Sequence, residues 1–225
     1  MTELFPPYNF VENGKLIGSS VELMALMLQR MESRKTVDDI KILPWARAYR
    51  IVLDQKDTAL FAMTKTEKRK NLFKWVGPIS SAKNVLIAKK EKKIRISCPK
   101  EIKKYRIGVV RRDAGEQLVI EKTGLTKNDL DRATNAISNI KKLAMNRIDL
   151  FAYDENVVKW IMKKEGINPD GYETVYILDI GLHFFAFNKN TPASLINRMQ
   201  NILDEIKSEG EYDNIMKKYH LSIGR

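Results

Sequence analysis

Thr58-Ala59-Leu60-Phe61-Ala62-Met63-Thr64-Lys65-Thr66-Glu67-Lys68-Arg69 is the stretch on which the reading of the chain turns. Its apolar half is short and bounded by turn-forming residues, which reads as a buried strand ending at Thr64. A strand that stops there leaves backbone donors and a hydroxyl free at its carboxyl end, where open α/β sheets bind small ligands. Thr66 then reads as the N-cap of a helix with Glu67 in its first turn. Arg69 follows within a turn. From there a guanidinium can grip a carboxylate through two parallel hydrogen bonds. The plainer reading of Arg69 is a solvated charge beside Lys68 and Lys70, and on composition alone that reading leads.

Working outward, the same strand, loop and helix rhythm recurs. Before it, Pro6-Pro7 fixes an extended or turning backbone, with Phe5 and Tyr8 available as aromatic walls. Glu12-Asn13-Gly14-Lys15 is a hairpin turn. Ser19 and Glu22 have capping-box spacing, and Val21, Met24, Leu28 and Met31 then recur at helical spacing as a core stripe. Ile40-Lys41-Ile42-Leu43 reads as a strand ended by Pro44-Trp45, with a short helix over 46–54. After Arg69, Trp75-Val76-Gly77-Pro78 breaks the pattern, and Asn84-Val85-Leu86-Ile87-Ala88 resumes as a strand. Residues 89–93 are a charged connector and the first candidate boundary.

A second αβ rhythm follows it. Residues 106–110 read as a strand, 111–115 as a loop and 116–122 as a helix. Residues 135–146 carry an apolar helical face. Ile148-Asp149-Leu150-Phe151-Ala152-Tyr153 is a strand with Asp154 at its carboxyl end, where a helix starts. Residues 175–178 and 184–187 read as two further strands. Thr191-Pro192 opens a long helix, with a capping residue before a proline, and Gly210 separates it from a last one.

The chain has 225 residues, enough to bury a substantial core. Its formal net charge of +12 raises the possibility of nucleic-acid binding. The lysines are spread along the chain, however, and no zinc-finger, RNA-recognition or helix-turn-helix pattern accompanies them. No nucleic-acid partner is expected. Cys98 is alone and the histidines are only His183 and His220, so neither an intrachain disulfide nor a zinc site is expected. No apolar run approaches the roughly 20 residues of a membrane-spanning helix, and Met1-Thr2-Glu3 leads into Phe5-Pro6-Pro7 without a signal-peptide pattern.

In order and spacing, the chain resembles the bacterial extracellular solute-binding proteins that serve polar amino acid uptake. The resemblance rests on Pro6-Pro7-Tyr8-Asn9-Phe10, Glu12-Asn13-Gly14-Lys15-Leu16-Ile17-Gly18, Met63-Thr64 through Arg69, residues 109–115, Arg147-Ile148-Asp149 to Asp154, Gly210-Glu211-Tyr212 and Ile215-Met216-Lys217-Lys218-Tyr219. Pro44-Trp45-Ala46-Arg47-Ala48 is similar to a less characterised branch of that family. The resemblance implies an α/β fold of the type II periplasmic-binding-protein kind, two lobes joined by two hinge strands and closing on a ligand. Lobe one would be residues 1–87 and 187–225, and lobe two residues 88–186. It implies that Arg69 clamps the ligand carboxylate, that Thr64 with its neighbours Ala62 and Met63 adds hydrogen bonds, that Asp154 binds the ammonium and that Phe5 packs on the ligand.

Other implied site positions carry open alternatives. Trp45 and Arg47 line the first-lobe wall, or Trp45 packs beneath its helix. The second-lobe loop of the family usually carries a Gly-Ser/Thr pattern, whereas this chain has Arg111-Arg112-Asp113-Ala114-Gly115. There Arg111 or Arg112 meets an acidic ligand side chain, or at least one points to solvent. The first strand of the family fold is missing or truncated before Thr2, and Glu3 stands in for an acidic residue often found there. The expected function is capture of an amino acid or similar zwitterion, by a monomer in the periplasm or outside the cell, for a membrane permease of an ABC transporter. No cofactor is expected. Two alternatives are a ligand-sensing domain and, on the same fold, a dehydratase-like enzyme with Glu3, Asp113 and Asp154 as its only placeable acids.

Overall fold

A computed structural model describes residues 1–221. In chain order the elements are β1 (Phe10–Glu12), β2 (Lys15–Ile17), α1 (Ser19–Arg30), α2 (Trp45–Asp54), β3 (Ala59–Thr64), β4 (Phe73–Lys89), α3 (Pro99–Ile102), β5 (Ile107–Val110) and α4 (Ala114–Thr123). They continue with β6 (Asp131–Ala133), α5 (Ala136–Ala144), β7 (Leu150–Asp154), α6 (Glu155–Lys164), β8 (Tyr172–Asn188), α7 (Ala193–Ser208) and α8 (Glu211–Lys218). None of the helices among the described residues is long and apolar enough to cross a membrane.

The chain divides into two compact units. Unit 1 holds Met1–Leu43, Arg47–Ser81 and the chain from Gly181 onward; unit 2 holds Pro44–Ala46 and Ala82–Ile180. Besides the short excursion at Pro44–Ala46, the chain passes from one unit to the other inside β4 and β8, at 81/82 and 180/181. The charged run of residues 89–93 begins at the end of the β4 crossing strand.

In unit 1, β3 runs antiparallel to the second half of β8, with Met63 opposite Phe184 and Thr64 opposite His183. A register shift between Leu60 and Met63 marks a bulge, which re-aims side chains at the strand end. Thr2 bridges both Ile42 and Phe61 in parallel. The β1–β2 hairpin turns through Asn13 and Gly14, both with positive φ (51° and 76°), as the Asn-Gly pair predicts. Helix α1 packs on α7 and α8, where Arg30 pairs with Glu209 and Glu211 and Lys218 reaches Glu22 at 2.6 Å.

In unit 2, β4 runs antiparallel to β7, β7 parallel to β5 and β5 parallel to β6. Leu86, Ile102, Ile107, Val109, Val119, Leu150 and Ala152 form its core. Gly115 has no room for a side chain: a Cβ there would lie 2.5 Å from the Ala152 carbonyl oxygen, so the glycine lets α4 lie directly on β7.

Several local expectations are corrected. The three strand segments read at 84–88, 175–178 and 184–187 lie within two 17-residue strands, β4 and β8. Trp75-Val76-Gly77-Pro78 does not interrupt β4, because the Gly77 amide donates to Gln200 Oε1 (2.9 Å), a side chain outside the ladder. In β8, exposed Ile177, Ile180 and Leu182 hid the alternation. The segment 40–43 forms a single bridge at Ile42 instead of a strand. Ser19 does not cap α1. Gly18 does, at φ 129° without a side-chain bond, and the Ser19 and Ser20 amides donate to the Pro7 and Tyr8 carbonyls (3.2 and 2.9 Å). A Cβ on Gly18 would stand 2.3 Å from the Tyr8 oxygen, so the close approach demands glycine. Likewise Thr191 does not cap α7, whose N-cap is Pro192.

Candidate functional site

The charged candidates fall into two groups, one on each unit. In unit 1 the chain leaves β3 at Thr64, which is buried. The expected helix after Thr66 is a single turn: the Arg69 and Lys70 amides both donate to the Thr66 carbonyl (2.9 and 3.0 Å), and the Leu72 amide donates to Arg69 (2.9 Å). Because β4 starts at Phe73, there is no length for more. The turn folds Arg69 inward, and only 2% of it is exposed. Its Nη1 donates to the Thr64 carbonyl at 3.3 Å, and its guanidinium lies 5.3 Å from the Tyr49 ring centre. The arginine is thus held from β3 and α2 together. A cation over an aromatic face contributes about 0.5–2 kcal/mol, more as water is excluded.

Ala62 and Met63 are buried in β3. Phe5 and Tyr8 stack at 5.4 Å, and the edge of His183 meets both, at 5.4 and 4.8 Å. Tyr8 is fully buried and donates to the Ser81 carbonyl (3.3 Å). His183 is fully buried too, bonded through Nδ1 to Ser80 Oγ at 2.9 Å, and burial pushes its pKa down to about 3. Glu3 is buried in this unit. Arg47 is exposed and His220 likewise.

In unit 2, Asp113 and Asp154 each stand at the carboxyl end of a strand, and β5 and β7 are neighbours. Asp113 caps α4, which begins at Ala114 rather than Glu116, by accepting from the Gly115 amide at 3.0 Å. Asp154 caps α6: its Oδ1 accepts from the Asn156 and Val157 amides (3.0 and 3.1 Å), and its Oδ2 from the Lys83 amide at 3.2 Å. Lys83 itself sends its ammonium to Glu155 (2.8 Å). Burial is the largest influence on Asp154, lifting its pKa to about 7 with a further push from Asp113, against the lowering effect of the three amides.

Arg111 and Arg112 are both exposed. Arg112 adopts a left-handed backbone, φ 63°, at a position suited to glycine. It is held there by Glu116, whose Oε2 accepts from the Arg112 amide at 2.7 Å while Oε1 pairs with Arg132. Trp45, expected on the wall of the first lobe or beneath its helix, groups with unit 2: it is 2% exposed and its indole donates to the Arg112 carbonyl at 2.9 Å.

Tyr49, Glu116 and His183 were not singled out as site residues. For Glu116 a signal was present, since Asp113 and Glu116 have capping-box spacing. For Tyr49 there was none: only folding brings α2 against the Arg69 turn. Among the described residues no group of three or more potential ligands is placed to hold a metal ion.

Comparison with known proteins places these features. A model of the bacterial extracellular solute-binding proteins, family 3, matches residues 1–222. A probable histidine-binding protein of Campylobacter jejuni is 24% identical over 229 residues, covering 96% of this chain and 82% of that protein. Among solved structures, an ancestral arginine-binding protein bound to arginine superposes with a TM-score of 0.81 at 24% identity, covering 97% of this chain and 95% of that one. A histidine kinase sensor domain with similarity to periplasmic binding proteins gives 0.84 at 17% identity, with 97% and 93% coverage. These structures share the α/β fold seen here.

Proposed function

We propose, starting from the fact that this chain belongs to the bacterial extracellular solute-binding proteins, family 3, that its solute is an amino acid or a similar small zwitterion. The single observation that carries the reading is a pair of buried charges of opposite sign at strand carboxyl ends, Arg69 after β3 and Asp154 after β7. Arg69 pairs with the ligand carboxylate, with Thr64 adding a hydroxyl. Asp154 pairs with the ammonium, and no lysine or arginine side chain already pairs with it among the described residues. Charge-assisted bonds of this kind are about twice as strong as neutral ones, and each is stronger where water is excluded. Phe5, Ala62, Tyr8 and Trp45 supply apolar surroundings. Met63 contributes its backbone alone, because its side chain lies on the opposite face of β3 from Thr64. Arg111, Arg112 and Asp113 set the charge around the second group. The relatives named for histidine or arginine binding support the amino-acid assignment.

The setting that follows is uptake. The protein acts as a monomer in the periplasm or outside the cell and delivers its ligand to a membrane permease of an ABC transporter. Binding, rather than catalysis, is the activity: Asp113 and Asp154 have capping or ammonium-binding roles, and neither is required as a general acid or base.

A thermal-shift screen of protein refolded to remove bound ligand tests this directly. A ligand that binds only the folded state raises Tm by mass action. One class of amino acid should raise it saturably. If no amino acid does so, while another small solute does, the zwitterion assignment is wrong.

A further inference from the structure

We propose that unit 1 carries a second ligand site, for a small aromatic carboxylate, on the outer side of the Arg69 turn. The site is a cavity of about 540 Å³ lined by Lys65, Glu67, Lys70, Asn71, Leu182 and Phe184 among others. That volume falls within the range of about 300–1,000 Å³ typical of small-molecule sites.

Strand alternation separates it from the zwitterion site. Thr64 and His183 are cross-strand partners on one face of the β3–β8 pair. Met63 and Phe184 are partners on the other face, and the period of two puts Lys65 and Leu182 there as well. The Lys65 amide donates to the Leu182 carbonyl (3.2 Å), which extends the pairing one step beyond β3. Arg69 points into the protein from the turn, whereas Lys65 and Lys70 are exposed on its outer side.

The wall is built before any ligand arrives. Phe184 lies over Gly77, where a Cβ would come within 2.5 Å of the ring, so only glycine admits this position. Trp75 meets Phe184 edge-on at 5.8 Å and Phe73 at 5.5 Å, and its indole donates to the Lys70 carbonyl at 2.9 Å. The Lys65 ammonium sits 5.1 Å from the Phe184 ring and 5.7 Å from Trp75.

Charge decides the ligand class. Lys70 is matched by Glu67 at 2.6 Å. Lys65 has no carboxylate among the described residues, and its ammonium rests on aromatic faces alone. An anion placed there meets that ammonium and the Asn71 amide. A flat ring attached to the anion covers Phe184 and Leu182, which is 38% exposed. A carboxylate beside one aromatic ring system satisfies both halves of the cavity.

The test is an amide-resolved NMR titration of the protein with indole-3-acetate and with its neutral counterpart, indole-3-acetamide. The acid should shift the amides of residues 65–71 and 181–184 saturably, and the amide should bind about tenfold more weakly. Lys65→Gln should weaken the acid by about tenfold, with the dispersion of the spectrum reporting that the variant is folded. Arg69→Met should leave the acid's affinity unchanged, which separates this site from the zwitterion site. The proposal is overturned if these amides do not shift, if acid and amide bind alike, if Lys65→Gln has no effect, or if Arg69→Met removes the binding.

Discussion

The end of β3 in unit 1 and the end of β7 in unit 2 solve the same problem, a buried charge, in opposite ways. Arg69 cannot shed its proton, so its surroundings must keep it charged: the Thr64 carbonyl accepts from it and the Tyr49 ring faces it. Asp154 can take up a proton, and although three backbone amides point at it, burial lifts its pKa to about 7. One end therefore carries a permanent charge and the other a charge that depends on pH. His183, also in unit 1, shows the same physics with the sign reversed, since burial pushes its pKa down to about 3 and keeps it neutral.

The largest effect expected breaks the permanent charge. Arg69→Met keeps the bulk of the side chain but removes the proposed carboxylate partner, and amino-acid affinity measured by calorimetry should fall by more than about 300-fold. Far-ultraviolet circular dichroism should be unchanged. Next is Asp154→Asn, which retains a good N-cap residue. At pH 8 it should weaken amino acids by about a hundredfold and leave analogues lacking the amino group within about threefold. Equal losses for both kinds of ligand would make Asp154 structural only.

The titratable charge then predicts a pH profile. If ammonium binding uses ionised Asp154 as proposed, affinity should be level above pH 7 and fall about tenfold for each pH unit below it. Arg69→Met, though weak, should keep that slope, whereas Asp154→Asn should lose it.

Stability sharpens the contrast. The folded pKa of His183 is depressed from 6.5 to about 3, so its contribution is complete above pH 6.5 and is lost as pH falls toward 3. The folded pKa of Asp154 is raised from 3.8 to about 7, so its contribution is greatest below pH 3.8 and declines as pH rises to 7. His183→Gln should remove a slope of up to about 1.4 kcal/mol per pH unit below 6.5, read from urea unfolding at several pH values. Smallest is Gly115→Ala, which pushes α4 off the Ala152 carbonyl and should cost about 1–3 kcal/mol. Its effect on ligand affinity should be larger than that of a substitution equally far from Asp113 on the exposed side of α4.

What the sequence made legible were groups fixed by local rules. Arg69 and Asp154 were placed at strand ends because an apolar run followed by a capping pattern announces a strand terminus, and Asn13-Gly14 announced its hairpin. Features that depend on distant partners were not legible. The Gly18 cap of α1 is set by the carbonyls of Pro7 and Tyr8, and the Ser19–Glu22 spacing suggested a capping box that those carbonyls make unnecessary. The continuity of β4 through Gly77-Pro78 depends on Gln200, far along the chain. Trp45 sat on an unmistakable Pro-Trp junction, yet its partner, the Arg112 carbonyl, is a backbone atom that no side-chain pattern reveals.

The most direct test of the central claim is isothermal titration of the amino acid that gives the largest thermal shift, alongside its N-acetyl and carboxamide derivatives. Two separate charge contacts predict that the free amino acid binds and that each derivative, missing one charge, is weaker by about a hundredfold. If both derivatives bind as tightly as the free amino acid, neither Arg69 nor Asp154 recognises a zwitterion.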